Sequence, residues 1–337
     1  MTGRPVLRRL VLTGALTLVV GAGVVVGWSP GDTAPSVLPD TSTAFSIDME
    51  VSATLDHATV YAVEQRARPA YRIFALDPAT GEDRTVFTVP EDAIVYGIAL
   101  SPDGSSLAVA YSPDFQLSGN GISLLDLATG DLTEVSATVP GVHLTDPVWA
   151  GDGEEVLASR VDRRSDDEVL DVVSVSMADG GVSAVVPDAV GPALVDGAVY
   201  FLRVGDDLAR RDVGRLEETG EVTTLQVADG ERDLDHLVGQ EGELSVAVLE
   251  EQDGQGLTLG SAAQAHGSHV VPSVRWSVPL TGGSAPQVED GGSLVVHDAA
   301  ADGAGGVVTA DREGLSITVD GTRHALVESR AIRFVTA

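Results

Sequence analysis

Seven histidines, 51 acidic residues and no cysteine bound the chemistry open to this 337-residue chain. The histidines are His57, His143, His236, His266, His269, His297 and His324, and only His266-Gly267-Ser268-His269 forms a close pair. Zinc asks for three or four ligands, and no cysteine is present to join these two. The pair reads as the polar tip of a long loop between Gly254 and Val270, and no metal or other cofactor is expected. Acidic clusters at Asp166-Asp167-Glu168, Asp206-Asp207, Glu217-Glu218 and Glu250-Glu251 lack the alternating Asp-x-Asp-x-Asp-Gly order that wraps calcium. They read as solvated loop charge, with a calcium site assembled from separate loops left open.

Nucleophilic hydrolysis is disfavoured, because the chain has neither a Gly-x-Ser-x-Gly elbow nor a His-Glu-x-x-His helix. Among so many carboxylates no pair is singled out for glycoside or lyase chemistry. The basic doublets Arg163-Arg164 and Arg210-Arg211 adjoin Asp162 and Asp166, or Asp207 and Asp212, and are expected to form local ion pairs. No catalytic, cofactor-binding or metal-binding residue is therefore assigned.

All 20 basic residues are arginine, and the net charge is −31. From Gly31 onward 17 Arg stand against 51 Asp and Glu, a balance of −34. Such a field repels phosphate backbones and anionic headgroups, which argues against a nucleic-acid or lipid-surface partner. The absence of cysteine excludes a disulfide framework and thiol catalysis.

The elements that must position any site are set by an internal repeat. Leu76-Asp77-Pro78-Ala79-Thr80-Gly81 returns as Leu125-Asp126-Leu127-Ala128-Thr129-Gly130, offset by 49 residues. A period of that size signals stacked copies of one supersecondary unit. In the clearest copy, Ile98 and Leu100 alternate into Ser101-Pro102-Asp103-Gly104, and Leu107, Val109 and Tyr111 alternate out of it. Pro102 presets φ and Gly104 tolerates a positive φ, so the segment predicts a β-hairpin. Ile122–Leu127 and Leu132–Thr138 supply a third and a fourth strand. Weaker copies place turn glycines at 153, 197, 242 and 291, in steps of 49, 44, 45 and 49 from Gly104. One step back reaches His57.

Six copies of about 47 residues, each of about four strands, predict an all-β, six-bladed β-propeller over residues 44–337. Ring closure is expected from either Phe45–Ser52 or Ile332–Val335. The hairpins at 101–104 and at Asp146-Pro147-Val148-Trp149-Ala150-Gly151-Asp152-Gly153 resemble the repeats of the TolB-like, WD40-like propeller family. The resemblance implies an extracytoplasmic propeller. Peptidases that carry such propellers place their triad on an added α/β domain, and six blades leave no room for one.

Ahead of the repeats, Arg4, Arg8 and Arg9 precede an uncharged run from Leu10 to Trp28. Nineteen residues at about 1.5 Å each would just cover a hydrocarbon core of about 30 Å. Residues 1–28 are read as a signal or single anchor helix that directs the rest outward. Residues 29–43, with Pro30, Pro35 and Pro39, are read as a semi-extended tether. The expectation is a monomeric, non-catalytic propeller, membrane-anchored or secreted, that binds a protein or peptide at the cell envelope. A propeller-scaffold enzyme and a small-ligand sensor are the alternatives.

Overall fold

The computed structural model describes residues 59–65, 71–114, 119–164, 168–205, 210–217 and 219–227, and thereafter 233–240, 243–249, 273–278, 287–288, 296–301, 307–311, 314–319, 322–328 and 332–337. Every regular element among them is a β-strand. The first sheet contains β1 (Val60–Gln65), β2 (Tyr71–Leu76) and β3 (Asp83–Thr88). The second is β4 (Ile94–Leu100), β5 (Ser106–Ser112), β6 (Gly121–Asp126) and β7 (Leu132–Glu134). The third is β8 (Val142–Trp149), β9 (Glu155–Asp162), β10 (Val169–Ser176) and β11 (Val182–Pro187). The fourth is β12 (Ala189–Val195), β13 (Ala198–Val204), β14 (Arg210–Leu216) and β15 (Val222–Val227). The fifth is β16 (Asp233–Gln240), β17 (Glu243–Leu249), β18 (Ser273–Val278) and β19 (Gln287–Val288). The sixth is β20 (Val296–Ala301), β21 (Val307–Asp311), β22 (Gly314–Val319) and β23 (Thr322–Glu328). Finally β24 (Ile332–Thr336) returns to pair antiparallel with β1, so the first sheet is also four-stranded, in the order β24-β1-β2-β3.

Turn chemistry makes the hairpins. Gly104 has φ +69° and donates its N–H to the Ser101 carbonyl at 2.8 Å. Asp103 accepts from the Ser101 hydroxyl at 2.6 Å and the Ser105 N–H at 3.0 Å, bonds that pull its carboxyl down to about 2. The repeated Asp-x-Ala-Thr-Gly is the turn from third to fourth strand. Asp77 accepts from the Ala79 N–H at 2.8 Å, and Asp126 from the Thr129 N–H at 2.8 Å. Gly81 and Gly130 close these turns at φ +71° and +78°.

The last copy departs from the expected spacing. Gln287–Val288 pairs with β18 as a fourth strand, so Gly291 does not mark the first hairpin of the sixth sheet. That hairpin joins β20 to β21 across residues 302–306. The count is displaced because residues 250–272 intervene between β17 and β18. His57 and Phe45–Ser52 lie outside the described residues, and β24 is the strand seen to pair with β1.

Alternation along each strand sends side chains to two faces, and neighbouring sheets share them. On the first sheet Val63, Ile73 and Ala75 pack with Val95, Leu107 and Val109 of the second. Its other face sends Val60, Ala62, Phe74 and Leu76 against Val308, Ala310, Leu315 and Ile317 of the sixth. A further core lies between the second and third sheets, and another spans the third, fourth and fifth. The strands β24, β4, β8, β12, β16 and β20 each touch the next, and β20 touches β24. Polar links cross the seams: the Leu100 N–H donates to Thr336 Oγ1 at 3.1 Å, and Trp149 Nε1–H donates to the Ala99 carbonyl at 3.0 Å.

One charged cluster is buried in this packing. Arg72 is 6% exposed; its Nε donates to Glu64, NH1 and NH2 reach the Asp83 carboxylate at 3.2 Å each, and its guanidinium lies 4.7 Å from the Phe74 ring centre. Burial works against the charge, and the bonds to Asp83 and Glu64 outweigh it and raise the guanidinium pKa. Arg72→Met leaves two carboxylates without their cation, and a loss of about 3 kcal/mol is expected in urea unfolding. Ile332→Ala, at a fully buried position of the closing strand, is expected to cost about 2–5 kcal/mol in the same assay.

Candidate functional site

Each strand of the inner ring is bulged. The ladder slips between Val95 and Gly97 in β4, Thr145 and Val148 in β8, and Val190 and Ala193 in β12. It slips again between Asp235 and Val238 in β16, between Val296 and Asp298 in β20, and where Ile332 and Phe334 of β24 face Glu64 and Val63. The residues set out of register are Tyr96, Asp146-Pro147, Gly191-Pro192, His236-Leu237, His297 and Arg333. A bulge leaves its extra residue outside the ladder and re-aims the strand, a device common at barrel rims and beside binding sites.

Local chemistry explains two of these bulges. Pro147 and Pro192 have no N–H to give the ladder. Asp146 adopts φ +50°, which aspartate tolerates when its side chain bonds nearby. Its Oδ2 accepts from the Thr145 hydroxyl and the Ser159 hydroxyl, both at 2.9 Å. Ser159 Oγ in turn accepts the Gly191 N–H at 2.7 Å, which ties the bulge of β8 to that of β12. At Gly97 a Cβ would lie 2.5 Å from Pro147 Cδ, so this position of β4 favours glycine.

At the end of the second and third sheets where β4 and β8 begin, polar and aromatic groups converge. The Tyr96 and His143 rings meet edge to face with centroids 5.5 Å apart. His143 is 8% exposed, and its Nδ1 is buried with no hydrogen-bond partner. Burial lowers the imidazole pKa, the nearby Arg163 cation lowers it further, and Glu168 opposes them. Burial likewise raises the Tyr96 phenol, with Tyr71 adding to the shift and Arg163 countering it. Both rings are therefore neutral near pH 7. Arg163 Nε donates to Glu168 Oε1 at 3.0 Å, and the Arg163 N–H holds the Gly141 carbonyl at 2.8 Å. The cluster offers a neutral imidazole, a phenol and one ion pair, a set suited to hydrogen-bonded recognition.

The remaining expectations divide as follows. Arg164 pairs with Asp162 at 2.5 Å as expected, and Arg163 pairs with Glu168 at 3.0 Å; Asp166 lies outside the described residues. His236 lies on β16, His297 on β20 and His324 on the outer strand β23. His57, His266, His269, Asp166-Asp167, Asp206-Asp207, Glu218 and Glu250-Glu251 lie outside the described residues. Glu217 is described and approaches Arg215 at 3.9 Å. Among the described residues no group of three or more acidic or histidine side chains is placed to hold a metal ion, and no helix is long and apolar enough to cross a membrane. Sequence reading missed the pairing of Tyr96 with His143, whose positions lie in different sheets.

No protein-family profile matches the chain, and no curated protein matches it in sequence. Solved structures do share its fold. TolB from Acinetobacter baumannii superposes with a TM-score of 0.61 at 19% identity, over 82% of this chain and 66% of that one. A putative TolB from Agrobacterium tumefaciens gives 0.55 at 13% identity, over 82% and 91%. A chain of a nidogen/laminin complex gives 0.57 at 11% identity, over 82% and 97%. The chain is thus a β-propeller. Its fold is TolB-like, and it spans 66% of the length of the Acinetobacter TolB.

The depressed His143 pKa has a stability consequence of fixed sign. Below the ordinary histidine value of about 6.5 the unfolded chain binds a proton that the folded chain resists, so stability falls as pH drops from 7 toward 5. Urea midpoints measured at both pH values are expected to fall further for the wild type than for His143→Gln.

Proposed function

We propose that this chain is a non-catalytic, six-bladed propeller that binds a protein or peptide at the cell envelope. In this reading residues 1–28 anchor or export it, residues 29–43 form the tether, and residues 44–337 form the binding body outside the cytoplasm. The observation that carries the binding role is the Tyr96–His143 contact, with its buried, unpartnered Nδ1 beside the Arg163–Glu168 pair. Neutral rings bordered by one ion pair complement the mixed apolar and polar surface of a polypeptide, in which aromatic and arginine anchors carry most of the energy. The acidic balance of the chain adds attraction for a cationic partner surface. The TolB-like fold supplies a rigid ring for such a surface, although fold alone does not define function.

The test uses the full chain, solubilised in detergent, as bait for an envelope extract. One specific protein should be retained through a salt wash. Its recovery is expected to drop at least tenfold with Tyr96→Ala or Arg163→Glu, while both variants keep the wild-type circular dichroism. Recovery of salt-labile background alone, or of a partner indifferent to both substitutions, would count against the reading.

A further inference from the structure

The end of the ring that holds the Tyr96–His143 contact carries further groups that this contact leaves unused. Tyr71, the first residue of β2, acts electrostatically on the Tyr96 phenol. Tyr111, near the end of β5, pairs with Val95, the residue before Tyr96. Three of the chain's five tyrosines therefore stand at the same end of the first two sheets, beside His143 of the third. Each is half-buried: Tyr71 and Tyr111 pack against the core between the first and second sheets, and Tyr96 against the core between the second and third. Burial raises the Tyr111 phenol pKa, and among the described residues no hydrogen bond engages the hydroxyl of Tyr96 or Tyr111. Two of the four large apolar side chains exposed among the described residues border the cluster. They are Val139, whose carbonyl accepts the Val142 N–H at 3.0 Å, and Val169, next to Glu168 and opposite Asp162.

We propose that this end of the first three sheets takes a proline-rich segment with basic flanks, an inference that rests on the peptide-binding reading above. Proline has no N–H, so such a segment presents carbonyl acceptors and no backbone donors, in an extended form that is already ordered before it binds. The site is its complement. The Tyr96 and Tyr111 phenols are donors, and a neutral imidazole adds one N–H. The polar atom left unsatisfied here is His143 Nδ1; as Nδ1–H it donates to a ligand carbonyl. A partner in β conformation would bring N–H groups as well, and the nearby carboxylates are engaged, Glu168 by Arg163 and Asp162 by Arg164. Tyrosine faces and the Val139 and Val169 methyls offer the flat apolar contact that pyrrolidine rings fill in other proline-rich recognition. Charge selects the flanks: Glu91 and Asp92 precede β4 and Asp114 follows β5 at this same end, which complements arginine or lysine beside the prolines.

The experiment titrates the full chain in detergent against a fluorescently labelled octaproline flanked on both sides by arginine, read by anisotropy. Binding should saturate, and a control peptide with alanine in place of every proline should bind at least about tenfold more weakly. Tyr96→Phe and Tyr111→Phe each remove one donor and keep the ring, and each is expected to weaken binding about 2–10-fold. Tyr200→Phe, in the fourth sheet, should leave it unchanged. Circular dichroism checks that each variant folds, and the alanine control decides the matter even where one does not. The proposal is overturned if the octaproline does not bind, if the alanine peptide binds equally well, or if neither Tyr96→Phe nor Tyr111→Phe weakens binding. A competition arm separates this inference from the reading it rests on. The protein retained from the envelope extract should be displaced by the octaproline and not by the alanine peptide. A Tyr96-dependent partner that the octaproline fails to displace overturns the proline-rich ligand and leaves the broader binding role standing.

Discussion

The antiparallel pairing of β24 with β1 is the constraint on which the other sheets depend. It joins residues near the two ends of the described chain, with Tyr61 opposite Thr336, Ala62 opposite Val335 and Val63 opposite Phe334. The first sheet can then bury both faces, one against the second sheet and one against the sixth. Without β24 the inner edge of β1 would offer unpaired N–H and C=O groups, and the seam between Thr336 and Leu100 would be lost. Closure thus does for the ring what no single hydrophobic core does, because the cores here lie between sheets and each needs both of its neighbours.

The inner strands carry a second, linked constraint. Six strands meeting around one axis must bend away from flat pairing, and each does so through a bulge. Residue types differ because the requirement is geometric: proline supplies it in β8 and β12 by lacking a donor, aspartate by bonding to Ser159. The freedom left in the identity of the bulged residue is where chemistry enters, and five of the six bulges hold a tyrosine, aspartate, histidine or arginine. Fold maintenance and the proposed recognition draw on the same positions.

Much of the fold was legible because its signals are local. Ser101-Pro102-Asp103-Gly104 and the two Asp-x-Ala-Thr-Gly turns encode their geometry within six residues, and the structure places each between the strands expected of it. The turn expected at Gly291 was misplaced because the long stretch between β17 and β18, though read as a loop, was not allowed for in the spacing of the turns that follow it. The site was illegible for a different reason. Tyr96 and His143 sit 47 positions apart on separate sheets, and their contact depends on how those sheets pack. Nor does any motif mark a bulge whose extra residue is Tyr in one strand and His in another.

The closing strand also imposes an order of events on synthesis. Residues 60–65 emerge from the ribosome early, yet their inner partner at 332–336 follows 267 or more residues later. At about 5–20 residues per second that is a wait of roughly 13–55 s. Through that interval β1 is a hydrophobic strand, Val60 to Val63, with an open edge beside sheets already able to form. Until then the inner edge of β1 has no β24 to pair with, so closure of the ring waits for the last strand made.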